Sequence, residues 1–404
     1  MIIWILNIIL IGAMGLMVYR ATKNDVSMLV FATAFGLRII ASVVAGFIFY
    51  DLYPGGDSTS FYESAKNTLE NHSIWSIVTG DFVPTGYSRQ PRVLFFIQIL
   101  SVILMLSGGS YWIASLYFAL ISFTASIYFV VQFGRLFPGI KPLSIVLFLF
   151  LPSVLFWSSG ILKDTISYSA FVIVVAQILK VQEGVKVTWL ELLIGILSLF
   201  VLFKIKHYLL ITSFLFAGIT LSIHWFKKQS GIWKWVVSVS TLLIFFAMTQ
   251  YVHPYLKIGR IPQTIYENNQ TIIEKTSSEN QLDIVVEKPE WMSVVKEIPS
   301  SLYTGFFRPT IFDKTPQAGI IHKIENLVLV SLVFLSLLSW FSLRPKVNWR
   351  LILPALFCIS LIATMLAMTT PNLGSLVRYR NVYLPFLFLL VSVLPFQYLT
   401  SKAS

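Results

Sequence analysis

Apolar runs that meet or nearly meet the length of a bilayer recur along almost the whole chain. They cover 1–19, 27–50, 111–134, 143–160, 165–181, 189–203, 208–226, 233–251, 323–343, 351–370 and 382–400. A helix needs about 20 such residues to cross the hydrocarbon layer, where backbone polar groups must be satisfied internally. The expected fold is therefore all-α and polytopic, with about 11 transmembrane helices. Across 404 residues, 56% are hydrophobic and 12% charged, which excludes a soluble enzyme, a disordered chain and a small disulfide scaffold. Cys358 stands alone inside an apolar run, so neither a disulfide framework nor a thiolate metal cluster is expected.

The net charge of +12 does not point to nucleic acid, because the basic residues lie in small groups between apolar runs and not in one patch. Their placement sets the orientation instead. With the N-terminus outside, the cytoplasmic turns carry Arg20 and Lys23; Arg135 and Lys141; Lys180 and Lys186; Lys227, Lys228 and Lys234; Arg344, Lys346 and Arg350; and Lys402. This assignment holds if segment 93–107 lies as a helix at the outer interface; if it crossed, every later loop would invert. The N-terminal run lacks a basic leader and a small-residue cleavage site, and reads as a retained span. Residues 1–251 then form an N-terminal bundle whose first outer loop is 51–110. A small extracytoplasmic subdomain or cap follows at 252–322, and 323–404 is a C-terminal three-helix segment.

Charges at the outer face are the informative ones, since ionisable groups near the bilayer are costly. Asp57 follows the second run, after Pro54, Gly55 and Gly56. Ser60 and Glu63 have the spacing of a capping box, which predicts a helix beginning after Ser60 and Asp57 outside it. Lys163-Asp164 stands at the next outer corner, where simple helix capping by Asp164 competes with a functional role. Lys204, Lys206 and His207 occupy an outer hairpin. Snorkelling to headgroups would explain the lysines, and so would holding a phosphate. Arg378-Tyr379-Arg380 precedes the last run, and Arg308 lies near the end of the long polar segment; arginine forks match phosphate oxygens, interfacial anchoring is the alternative for each, and for Arg308 alone it is the plainer account. The five histidines have no zinc spacing, and neither a P-loop, a dinucleotide fingerprint nor a Gly-x-Ser-x-Gly elbow is present.

The order of these features resembles the GT-C class of integral-membrane glycosyltransferases, such as the protein O-mannosyltransferases and the lipid A aminoarabinose transferases. In that class an acidic residue follows a span in the first outer loop, and an interfacial helix comes next. A second acidic residue, a lysine in a later hairpin and an Arg-Tyr element before a terminal span complete the pattern. Asp57, 91–108, Asp164, Lys204 or Lys206, and Arg378-Tyr379 stand in those places. Two departures stand out: 91–108 is more apolar than such interfacial helices, and no Asp-x-Asp element adjoins Asp57.

The resemblance implies transfer of a sugar from a polyprenyl-phosphate-linked donor to a glycan, glycolipid or protein acceptor. The place would be the extracytoplasmic side of a bacterial inner membrane, in cell-envelope assembly. Asp57 and Asp164 would be the catalytic carboxylates. Lys163, Lys204, Lys206, His207, Arg308, Arg378, Tyr379, Arg380 and Glu63 would bind the lipid phosphate and its sugar. No cofactor is required, and a divalent metal is not indicated. Membrane lipids are partners and nucleic acid is not. Two other functions fit a chain of this kind. A Wzy-type polysaccharide polymerase or O-antigen ligase would depend on the outer arginines and tolerate loss of Asp57. A transporter or flippase would need polar groups within the spans and interrupted helices; read along the sequence, mid-span positions are almost uniformly apolar.

Overall fold

A computed structural model describes residues 2–52, 56–82, 90–225, 232, 236, 240, 257–313, 319–343 and 349–403. Apart from 236 and 240, the run expected at 233–251 lies outside the described residues, as do Pro54, Gly55, Lys227, Lys228, Lys234, Arg344 and Lys346. Among the described residues the secondary structure is helical, and no strand occurs beyond one isolated bridge, Gln281 to Asn372. Among the described residues six helices are long and apolar enough to cross a membrane: Ile2–Thr22, Met28–Leu52, Tyr111–Leu136, Lys163–Gln182, Gly319–Phe341 and Leu351–Thr369. A bent pair, Leu373–Val382 and Leu384–Gln397, turns by 66° at its junction and makes a seventh if it is one span. The chain is an all-α, multi-pass membrane protein.

The chain divides into two compact units, Met1–Leu210 and Ile211–Ser404. In the first, α1 (Ile2–Thr22), α2 (Met28–Gly46, prolonged by a π-helical turn over Phe47–Leu52), α3 (Asp57–Asn71), α4 (Ile74–Thr79) and α5 (Pro91–Leu106) lead to α6 (Tyr111–Leu136). Then follow α7 (Lys141–Ile145), a π-helical turn at Val146–Phe150, α8 (Pro152–Trp157), α9 (Lys163–Gln182) and α10 (Trp189–Ile205). Helices α6 and α9 form the centre, with 78% of each apolar window buried, against 17% for α1 and 28% for α2. The outer helices therefore present their apolar side chains to lipid. Buried polar pairs tie them to the centre: Tyr117 donates to Asn7 at 2.6 Å, and the Ser42 and Ser115 hydroxyls lie 2.8 Å apart.

Helix α3 begins at Asp57, behind Gly56, so the helix starts four residues earlier than the Ser60–Glu63 spacing predicts and no capping box forms there. Pro152 has no N–H for the Phe148 carbonyl four residues back, and the helix breaks at Leu151. The orphaned carbonyl is met by Arg38, a residue in the middle of α2, whose guanidinium donates to Phe148 O and Val154 O, both at 3.3 Å, to Ser126 at 3.3 Å and to Ser158. Arg38 is completely buried. Arg38 is an exception to the almost uniformly apolar mid-span positions that the sequence shows. One arginine inside the long 27–50 run is easily passed over by composition, yet it holds three distant segments together.

In the second unit, α11 (His207–Trp225), which begins just before the boundary, precedes α12 (Ile261–Lys275), α13 (Trp291–Lys296), α14 (Ile298–Phe307), α15 (Gly319–Leu343), α16 (Trp349–Thr369), α17 (Leu373–Tyr379) and α18 (Leu384–Ala403). The polar segment is stitched to the end of α16 by Asn269. Its amide donates to Met368 O at 2.7 Å and Ile284 O at 3.1 Å, and its oxygen accepts from the Val286 amide at 3.1 Å. Leu282, Ile284 and Val286 are buried beneath it.

Replacing Arg38 by Met leaves the Phe148 carbonyl without a donor, and should lower stability by about 2–5 kcal/mol as judged by unfolding in detergent. Arg38→Lys should not restore it, because one ammonium lacks the planar fork that reaches these acceptors together. The loop before α2 supplies an acid-sensitive link. The Arg135 guanidinium, at 2.6 and 3.0 Å, holds the Asp25 carboxyl below its ordinary 3.8. Its stabilising contribution is present above the unfolded value and is lost as pH falls through the lower folded one. Asp25→Asn should therefore narrow the stability gap to the native chain on acidification, in thermal melts over about pH 3 to 7.

Candidate functional site

The first residue of α3 is Asp57, half-buried at a helix N-terminus, where the exposed amides and the helix dipole favour a carboxylate. Helix α3 is amphipathic. It buries Ser58, Phe61, Tyr62, Ala65 and Thr68 and leaves Glu63 and Glu70 exposed. Ser58 lies 2.8 Å from the Tyr111 hydroxyl, and Thr59 donates to Phe49 O at 2.6 Å, which anchor this end of α3 to α6 and to the π-helical turn that ends α2. Helix α5 packs along the buried face of α3, with Ser101 donating to Ala65 O at 3.2 Å. Gly108 and Gly109, at φ 64° and 75°, make the tight turn from α5 into α6.

Lys163 and Asp164 are the first two residues of α9, behind Leu162, so Asp164 stands inside the helix and not at its cap. The corner before it is buried throughout residues 158–162. Asp164, itself fully buried, forms an ion pair with Lys206 at the end of α10. The Lys163 ammonium sits 4.7 Å above the Phe61 ring. Phe61 lies one turn beyond Asp57 on the same helix face, about 6 Å along the axis. Phe61, Ile161 and Ile205 share one core cluster. The first unit thus gathers Asp57, Lys163, Asp164 and Lys206 from three distant stretches of chain at one end of its bundle.

The other singled-out residues divide. Lys204 is exposed with its ammonium 5.6 Å from the Phe200 ring, as a snorkelling lysine would be, and the His207 ring lies 5.7 Å from Phe203. Both stand beside Lys206 in the hairpin. In the second unit Arg308 pairs with Asp313. Arg380 is buried and donates to Phe306 O at 2.9 Å, Asn326 Oδ1 at 2.9 Å and Arg308 O. Arg378 is half-buried, 5.2 Å from the Tyr379 ring. Sequence reasoning passed over Arg38 and the partner of Arg308, Asp313. An arginine within an apolar run was the available signal for the first, and a carboxylate five residues away for the second.

A recess of about 370 Å³ opens beside the same end of the first unit, lined by Trp4, Ser42, Val43, Trp112, Ser115 and Leu116. Trp112 adjoins Tyr111, the residue that meets Ser58. Among the described residues no three His, Cys, Asp or Glu side chains gather as a metal site. Compared with protein-family models, curated proteins and solved structures, the chain matches none.

An ion pair this deeply buried contributes little net stability while both partners are present, but removing one leaves a costly lone charge. Lys206→Met should therefore destabilise the chain by about 3–5 kcal/mol in detergent unfolding, and Asp164→Asn in the same chain should recover part of that loss.

Proposed function

We propose that the chain is a membrane glycosyltransferase that moves a sugar from a polyprenyl-phosphate-linked donor to an acceptor at the extracytoplasmic face. In this reading it has about 11 spans, a GT-C-like arrangement, and a role in cell-envelope glycan or glycolipid assembly in a bacterial inner membrane. The observation that carries the reading is the Lys206–Asp164 pair set next to Lys163, which rests on Phe61 one turn from Asp57. Carboxylates and cations at one end of a membrane bundle are what transfer from a lipid phosphate requires. The acceptor hydroxyl or amine must lose a proton, and the leaving phosphate must be neutralised.

Asp57 takes the acceptor's proton. It stands half-buried at the start of α3, where an acceptor can reach it. Asp164 is occupied by Lys206 and acts by fixing that ammonium and the start of α9, which carries Lys163. Lys163, with Lys204 and His207 flanking Lys206 in the hairpin sequence, faces the lipid phosphate; Glu63 contacts the sugar. The recess walled by Trp4 and Trp112 is of a size and polarity for part of the donor's hydrocarbon chain. Arg308, Arg378, Tyr379 and Arg380 belong to the second unit. Arg308 and Arg380 already serve Asp313 and backbone carbonyls, so the proposed site is drawn from the first unit alone.

A second reading, transport of a lipid-linked glycan without covalent chemistry, is favoured by buried Arg38 in mid-span and by the helices broken at Leu151 and bent at Tyr383. The hydrogen bonds of Arg38 to protein carbonyls and hydroxyls weigh against an ion-pathway role for it.

Purified chain in proteoliposomes, supplied with a polyprenyl-phosphate sugar, should form a glycosylated product. Asp57→Asn should reduce the rate by about 100-fold or more with no change in the amount of folded protein. Normal transfer by Asp57→Asn would remove the assignment, and movement of the lipid-linked sugar across the bilayer with no product would establish the second reading.

A further inference from the structure

Residues 291–312 carry a dense set of exposed apolar side chains in a segment whose neighbours in sequence are polar. Met292 is 77% exposed and Phe312 84%, with Trp291, Ile298, Tyr303 and Ile311 also outward. In water such a surface would be an aggregation liability. Its packing shows where it sits. Helix α14 turns Ser301, Thr304 and Gly305 inward against α16. Gly305 approaches so closely that a Cβ there would come within 2.7 Å of the Ala363 carbonyl oxygen. Ala363 lies six residues inside the Thr369 end of the membrane-crossing segment Leu351–Thr369. Six residues of helix are about 9 Å, so α14 touches the span well below its end, at the level of acyl chains.

The C-terminus of α14 gives an independent sign. A helix end in water can leave its last carbonyls to solvent, but one in hydrocarbon cannot. Pro309 has no N–H for the Gly305 carbonyl, and Tyr383 donates to it at 2.7 Å. Arg380 donates to Phe306 O and Arg308 O, and Asn326 donates to Pro309 O at 2.8 Å. Gly305, Phe306, Arg308 and Pro309 thus all have side-chain donors brought from residues 326–383. Towards the start of the segment, Lys296 and Glu287 pair at 3.8 Å with both side chains 67% exposed, as charges at headgroup level would be.

We propose that residues 291–312 are a re-entrant element inserted into the lipid leaflet on the Thr369 side, with Trp291, Met292, Ile298, Tyr303, Ile311 and Phe312 against acyl chains. The partner of this surface is the hydrocarbon of the bilayer. The segment is therefore part of the membrane domain and not a cap standing in water. This inference is independent of the sugar-transfer reading.

The test uses the full chain, reconstituted in phosphatidylcholine liposomes, with one nitroxide label at a time. Labels go at Met292→Cys, Tyr303→Cys and Phe312→Cys, with Glu287→Cys as the water-exposed reference. Cys358 is replaced by Ala, or retained as the buried thiol it is if that variant fails to fold. Collision with oxygen relative to a water-soluble nickel chelate should be several-fold higher at 292, 303 and 312 than at 287. Nickel access at 303 and 312 equal to that at 287 would overturn the proposal. So would spin–spin broadening at those sites that disappears on dilution with unlabelled chain, because a second copy and not lipid would then cover the surface.

Discussion

Hydrocarbon offers no hydrogen bonds, and at two proline-broken helices of this chain, at Pro152 and Pro309, that constraint is met by buried side chains. Pro152 breaks one helix and Arg38 reaches across from α2 to its abandoned carbonyl; Pro309 ends another, and Arg380 with Tyr383 does the same. In each case a break that would be unaffordable in lipid becomes a fixed junction between segments remote in sequence. The helix-breaking prolines and the buried arginines are two halves of one device. It lets the bundle contain turns, π-helical stretches and a bent helix pair without exposing backbone to acyl chains.

The same economy of buried charge frames the site in the first unit. Asp164 and Lys206 neutralise one another at the junction of α9 and α10, and this allows a carboxylate to be completely buried. Fixing the first turn of α9 in turn sets Lys163 above Phe61, and so beside the helix that begins at Asp57. An ion pair that is structural in itself thus helps to place two less buried ionisable groups, Lys163 and Asp57, at one end of the first unit. The Asp57 carboxylate, at a helix N-terminus and held by the Ser58–Tyr111 and Thr59–Phe49 contacts, is positioned by α6 and by the end of α2.

Much of the scaffold was legible in the amino-acid order. The runs at 1–19, 27–50, 111–134, 165–181, 323–343 and 351–370 coincide with the six long apolar helices, because apolar length is a property of contiguous residues. The start of α3 was not: Ser60 and Glu63 have the right spacing for a cap, but the contacts of Ser58 and Thr59 with Tyr111 and Phe49 draw the helix back to Asp57. Lys163, Asp164 and Lys206 stood out as charges beside apolar runs, whereas the pairing of 164 with 206 is 42 residues distant and leaves no trace in spacing. Arg38 was hidden by the hydrophobicity of its own neighbours.

Sequence alone determined that this protein is helical, crosses the membrane several times and carries its informative charges at the ends of apolar runs. Transfer into lipid depends on the sum of local hydrophobicity, and that sum is written along the chain. The tertiary structure decided which of those charges answer one another: that Lys206 satisfies Asp164, that Lys163 rests on Phe61, and that Arg38 and Arg380 satisfy carbonyls rather than carboxylates. A hydrogen bond or ion pair is local in space, not in sequence, and only the packing of helices brings its two ends within reach.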